Sequence, residues 1–272
     1  MDRIQSAIAK ARAVRQADAQ KGRGRAAEPA SGLGGIAEAW DAMPSVTLDP
    51  RRLRAGRMVA FTGGHEAAPF DVMRTKLVYQ LRERGWTRVA ITSPGSGSGK
   101  TTTCLNLAFS LARQAELRII ALELDLQRPR MAEVLGLGAG HRFASVLEGM
   151  RRPEDELLRV APNLALGVTS QKMTHSSELL ASSRTGAEID AIEERFRPDV
   201  MLFDMPPVLA GDDTLAFVDQ VDCVLIIAEA ERSTVNEIDR AGEILAEHVQ
   251  ILGVVLNKCR FSEAGTGYSY GD

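Results

Sequence analysis

Ser93-Pro94-Gly95-Ser96-Gly97-Ser98-Gly99-Lys100-Thr101-Thr102-Thr103 sets the architecture of this chain. An apolar run, Val89-Ala90-Ile91-Thr92, leads into it, and a helical pattern carrying Cys104, Leu105, Leu107, Ala108, Leu111 and Ala112 follows. Strand, glycine-rich loop, Lys-Thr and helix, in that order, predict a P-loop. In such a loop successive backbone N–H groups curl around phosphate oxygens, and the helix adds the positive end of its dipole. The predicted nucleotide-binding residues are Gly95, Ser96, Gly97, Ser98, Gly99, Lys100, Thr101 and Thr102. Lys100 is expected on the β- and γ-phosphates and the Thr101 hydroxyl on Mg²⁺. The strict motif opens with a glycine where this chain has Pro94, but Gly95, Gly97 and Gly99 keep the loop able to curl.

Further apolar strands are predicted at Met58–Thr62, Leu117–Leu124, Leu164–Val168, Val200–Phe203, Cys223–Ala228 and Ile251–Leu256. Helical patterns separate them, at Phe70–Arg84 and roughly at 131–149, 176–196, 212–219 and 234–248. Alternating strands and helices predict an α/β fold, a mainly parallel sheet with helices on both faces. Residues 1–20 read as an amphipathic helix with Ile4, Ile8 and Ala11 on one stripe, suited to a partner or an anionic membrane surface. Residues 21–56, rich in Gly, Ala, Arg and Pro, read as a partly disordered linker that Trp40 pins to the domain. The ATPase domain is expected over 57–261 and a flexible tail over 262–272.

The 272 residues suffice for one large α/β domain with extensions. A net charge of −3 gives no bulk argument for nucleic-acid binding. Cys104, Cys223 and Cys259 have no metal-ligand spacing and sit in apolar surroundings, so buried free thiols in a reducing, cytoplasmic compartment are expected. No apolar run approaches a membrane span, and no secretion signal is evident.

Ligands of open parallel sheets sit at the carboxyl ends of the strands, and two acidic clusters fall there. Glu123-Leu124-Asp125 ends one strand, with both carboxylates on one side; Val200-Met201-Leu202-Phe203-Asp204 ends another in the Walker B pattern. A lone buried carboxylate is expensive unless a cation or hydrogen bonds offset it, so Asp204 predicts a metal.

Taken with the P-loop, the Asp125 motif ending in Arg128-Pro129, Asp204-Met205-Pro206-Pro207, Ser177-Glu178-Leu179-Leu180-Ala181-Ser182 and Val254-Val255-Leu256-Asn257-Lys258, residues 57–272 resemble the bacterial tyrosine kinases that regulate capsule and exopolysaccharide export. These are built on the MinD/ParA branch of P-loop ATPases. The resemblance implies ATP and Mg²⁺ as cofactors, with Lys100 on the phosphates and Thr101, Asp125 and Asp204 around the metal. It implies catalytic roles for Lys100, Glu123, Asp125 and Asp204, and a place for Asn257 near the adenine. It implies phosphoryl transfer to C-terminal tyrosines, here Tyr268 and Tyr270, often between subunits of a ring. It also implies a transmembrane polysaccharide co-polymerase or activator as partner, a homo-oligomer, and a peripheral place on the inner membrane through that partner.

Three departures stand out. The second motif opens with Glu123 where the family has aspartate. The helix near residue 71 carries Asp71, Arg74 and Leu77 where the family's ring-building motif is Glu-x-x-Arg-x-x-Arg. The tyrosine cluster is short. They leave open an ATP-binding regulator or scaffold with little kinase activity. A ParA/MinD-type ATPase is the third reading, against which Gly95 stands where that group carries a second lysine.

Overall fold

The computed structural model describes residues 32–259. The amphipathic segment 1–20 and the tail with Tyr268 and Tyr270 lie outside them. The chain divides into two units, 1–38 and 39–272. Two helices precede the sheet region, α1 (Gly32–Ala42) and α2 (Pro50–Ala55), followed by α3 (Ala68–Arg84). The first half of the sheet contains β1 (Arg88–Thr92), α4 (Lys100–Ala112), β2 (Ile119–Glu123), α5 (Met131–Leu135), α6 (Ala144–Leu147), α7 (Pro153–Glu156), β3 (Leu157–Ala161) and β4 (Leu164–Gly167). The second half contains α8 (Ser176–Leu180), α9 (Ser183–Phe196), β5 (Val200–Asp204), α10 (Asp213–Phe217), β6 (Cys223–Glu229), α11 (Val235–Ala246) and β7 (Gln250–Asn257).

The strands form one sheet in the order β3-β4-β2-β5-β1-β6-β7. Among the described residues only the β3–β4 strand pair is antiparallel. Val89, Ile91, Ile119, Ala121 and Leu202 join Leu77, Leu81, Leu105 and Leu111 of α3 and α4 in one core. The alternate residues Ala90, Ile120, Met201 and Phe203 are buried as well, and Phe203 packs on Phe217 of α10 with ring centroids 5.1 Å apart. Both faces are therefore covered, which is why these strands read as continuous apolar runs.

Several expectations need correction. Met58–Thr62 is not a strand; Val59–Phe61 is a 3₁₀ turn. The places beside β1 belong to β5 and β6, and the Ala60 amide instead donates to Asn106 Oδ1 of α4 at 2.9 Å. The region from Ala39 onward is not linker. Ala39, Trp40, Met43, Leu48 and Leu53 are buried, and Trp40 donates to the Phe196 carbonyl at 2.8 Å, the anchoring expected of it. The helical pattern 131–149 breaks at Gly136, whose left-handed backbone ends α5. The edge strand β3 was not expected, because its residues 157–161 alternate poorly and follow the acidic α7. Cys104 and Cys223 are buried, but Cys259 is exposed just past the last strand. Among the described residues no helix is long and apolar enough to cross a membrane.

Candidate functional site

The loop after β1 depends on two glycines. Gly97 and Gly99 have φ of 88° and 90°, a left-handed conformation that side chains resist. A Cβ at Gly99 would stand 2.3 Å from Asn257 Nδ2, so sterics add to the backbone constraint. Gly95 O is held within the loop, accepting from the Ser93 hydroxyl at 2.7 Å and from the Ser98 hydroxyl at 3.0 Å, while Ser98 O is held from outside it, accepting from Asn257 Nδ2 at 2.8 Å. A peptide whose carbonyl is held outward presents its amide on the opposite side, here that of Gly99, as in an anion-binding nest. Lys100 opens α4 and is buried, 7 % exposed.

The acidic wall comes from neighbouring strands. Register pairs Asp204 with Ile91 on one side and Glu123 on the other, so the ends of β1, β5 and β2 lie abreast. The Asp204 carbonyl accepts from the amides of Leu124 and Asp125, which carries Asp125 over the end of β5. Lys100 Nζ lies 3.8 Å from Asp125 Oδ2. Burial raises the Asp125 carboxyl above its ordinary value, and Lys100 opposes that shift. Arg128 closes the loop, its amide donating to Asp125 Oδ1 at 3.2 Å and its guanidinium lying 3.5 Å from Ser96 Oγ.

Asp204 is fully buried, and among the described residues neither carboxylate oxygen has a hydrogen-bond partner. Burial pushes it up to about 7, against the pull of Lys100 and of the Thr101 hydroxyl, which is near enough to lower it without the geometry of a full bond. An orphaned carboxylate beside a hydroxyl and a second carboxylate is a donor set of hard oxygens, and it fits a hydrated Mg²⁺. The residues present therefore suit the metal that the motif implies.

The Glu123 carboxylate is engaged by backbone amides rather than by Lys100 or Thr101. Oε1 accepts from the amides of Arg130 and Met131 at 2.5 and 2.6 Å, and Oε2 from the Thr169 amide at 3.0 Å. Burial pushes its carboxyl up to about 7, opposed by the Met131 and Thr169 amides. The side chain ties the entry of α5 to the exit of β4.

Asp213, at the start of α10, accepts from the Ser176 hydroxyl and from Gln127 Nε2, the latter at 2.9 Å, linking α8 and the Asp125 loop to α10. Its partners lie 37 and 86 residues away in sequence, so no local signal marked it.

Residues 89–267 match the family model described as the CobQ/CobB/MinD/ParA nucleotide binding domain. The chain is 29 % identical over 202 residues to the tyrosine-protein kinase Wzc of Salmonella typhi, covering 72 % of this chain and 27 % of that protein. It is 27 % identical over 206 residues to the tyrosine-protein kinase CpsD of Streptococcus agalactiae serotype III, covering 75 % of this chain and 85 % of that one. It spans about a quarter of the length of several curated relatives it matches, Wzc among them. The kinase domain of the Escherichia coli tyrosine kinase ETK superposes with a TM-score of 0.66 at 23 % identity, over 76 % of this chain and 80 % of that domain. That likeness bears on the fold.

Proposed function

The chain belongs to the CobQ/CobB/MinD/ParA nucleotide-binding family, and from that premise we propose that it is an ATP-dependent protein-tyrosine kinase that phosphorylates its own C-terminal Tyr268 and Tyr270. In this reading it regulates capsule or exopolysaccharide synthesis and export, as a homo-oligomer activated by the cytoplasmic segment of a transmembrane polysaccharide co-polymerase. The observation that carries the reading is the convergence of Lys100, Asp125 and the partnerless Asp204 beside a glycine loop. The relatives named as tyrosine-protein kinases supply the reaction class.

The inward amides of the loop hold the phosphates, and Lys100 draws the γ-phosphoryl into place. Thr101, Asp125 and Asp204 would hold Mg²⁺, whose charge offsets that developing on the transferred phosphoryl oxygens. Positioning and charge neutralisation do most of the work of phosphoryl transfer. A carboxylate beside the transferred group would accept the tyrosine proton. We assign Glu123 to holding the Asp125 loop, since its three backbone hydrogen bonds occupy the carboxylate. In this reading Asn257, whose side chain bonds the loop at Ser98, would stand near the adenine.

Purified chain incubated with Mg²⁺ and ATP, with and without the partner segment, is expected to gain phosphotyrosine. Lys100→Met is expected to lower the signal about 10²–10³-fold, the usual effect of removing one transition-state donor. Tyr268→Phe/Tyr270→Phe is expected to remove it. ATP binding with no phosphotyrosine under either condition would favour the scaffold reading, which the engaged Glu123 carboxylate supports. No binding of adenine nucleotide at all would sink both.

A further inference from the structure

Beyond the P-loop itself, the outer wall of the loop is gripped by the last two strands. Asn257 and Lys258 are successive residues at the end of β7, and they donate to successive carbonyls of the loop. Asn257 Nδ2 reaches Ser98 O at 2.8 Å and Lys258 Nζ reaches Gly97 O at 2.7 Å. Lys258 Nζ also pairs with Glu229 Oε1 at 3.0 Å. Glu229 ends β6 and is paired in register with Asn257, so both members of the ion pair stand on adjacent strand ends. Its side chain is only 10 % exposed, and its backbone amide is held by the Ser233 hydroxyl at 2.9 Å. Lys258 adopts φ of 60°, uncommon for a residue with a side chain.

Gly97 is itself left-handed and has no side chain to restrict it, so the peptide joining it to Ser98 has little to fix its orientation. If that peptide turned over, a carbonyl oxygen would replace an amide in the phosphate nest and repel the ligand. A charge-assisted hydrogen bond from an ammonium holds a carbonyl more firmly than a neutral one.

We propose that Lys258, braced by Glu229, is a positioning residue of the nucleotide site: it locks the Gly97 carbonyl outward and so keeps the Ser98 amide aimed at phosphate. The inference rests on the nucleotide-binding reading and deepens it. It differs from a role for Lys258 as a phosphate ligand, because here the ammonium is spent on the far side of the loop and neutralised by Glu229.

The two roles give opposite signs for Glu229. Binding of a fluorescent ATP analogue is measured for the unmodified chain, Lys258→Met, Lys258→Arg, Glu229→Gln and the Lys258→Met/Glu229→Gln double variant. A positioning role predicts that Lys258→Met and Glu229→Gln each weaken binding by about tenfold, the order expected for a hydrogen bond to a charged group. The double variant is then no weaker than the worse single one, and Lys258→Arg restores part of the loss. In turnover the loss appears in KM with kcat largely kept. Amide hydrogen exchange of the nucleotide-free protein rises at residues 95–99 in Lys258→Met and not in β1, which separates a loosened loop from general unfolding. Tighter binding in Glu229→Gln would overturn the proposal in favour of a phosphate ligand, and unchanged binding in both single variants would overturn it outright. An unmodified chain that binds no ATP analogue defeats the nucleotide reading, and this inference with it.

Discussion

Asp204 carries the sharpest consequence of burial. Its carboxyl is raised to about 7, so in the folded chain it keeps its proton well above the unfolded value of about 4. A carboxyl raised on folding contributes fully below the unfolded value, and that contribution is lost as pH climbs to the folded one. Asp204→Asn is therefore expected to leave ligand-free stability nearly unchanged near pH 4 and to exceed the parent increasingly up to about pH 7, where the gain levels off. Above that pH the gain should reach at most about 4 kcal/mol, from about 1.4 kcal/mol per unit of the shift, read from urea midpoints. The same variant should lose Mg²⁺-dependent nucleotide binding. Glu123 makes the contrasting case, since it has partners. Glu123→Ala strands three amides, those of Arg130, Met131 and Thr169, and is expected to cost about 1–3 kcal/mol. If urea midpoints moved by less than a few tenths of that, the clasp would be wrong. The sequence placed Glu123 and Asp125 on one side because residues two apart in a strand share a face; the chain turns out of β2 after Glu123, and the alternation ends there.

Helix α3 shows how a motif departure is absorbed. Asp71 accepts from the Ser110 hydroxyl at 2.6 Å and from Arg113 at 2.9 Å, and Arg74 donates to the Ser110 carbonyl at 3.1 Å. The Ser110 and Arg113 contacts hold the Asp71 carboxyl below its usual range. Both charged residues of the incomplete motif are thus bound to α4 and its C-terminal cap within this chain. Leu77, where the second arginine would stand, is 2 % exposed among Leu81, Leu105 and their neighbours. Leu77→Arg, which would complete the pattern, is expected to destabilise the fold by more than about 3 kcal/mol, because it buries an unpaired charge. A stable, cooperative Leu77→Arg protein would show that the helix can turn this position to solvent. The 3₁₀ turn at Val59–Phe61 teaches the same lesson: its apolar residues are read as a strand, but its place is against α4, where Phe61 meets Phe109 edge-on with centroids 5.4 Å apart.

Across the fold, the boundary lies earlier than the composition suggests. A cut at residue 57 removes Trp40, Met43, Leu48 and Leu53, all buried, together with the Trp40 bond to Phe196 and the ion pair between Asp41 and Arg159. Trp40→Ala is expected to cost about 3–5 kcal/mol, and a chain starting at 57 to unfold at clearly lower urea than one starting at 32. Equal midpoints for the two would return the segment to the status of a linker. Glycine and alanine content hid this, because a few well-placed large side chains anchor a segment that looks featureless on average.

The α/β layering, the phosphate loop and the two acidic strand ends were legible along the chain because each is written in short spacings. Strand and helix periods, glycines at positive φ and a carboxylate closing an apolar run all fall within a few residues of one another. The duties of Glu123, Asp213, Asn257 and Lys258 were not legible. Most of their partners lie far off in sequence, 46 residues away for the Glu123–Thr169 bond and 159 for the Asn257–Ser98 bond, and the tertiary fold brings them together. Burial acts likewise. Whether a carboxylate is paired or stranded depends on every element packed around it, and no stretch of sequence contains that environment.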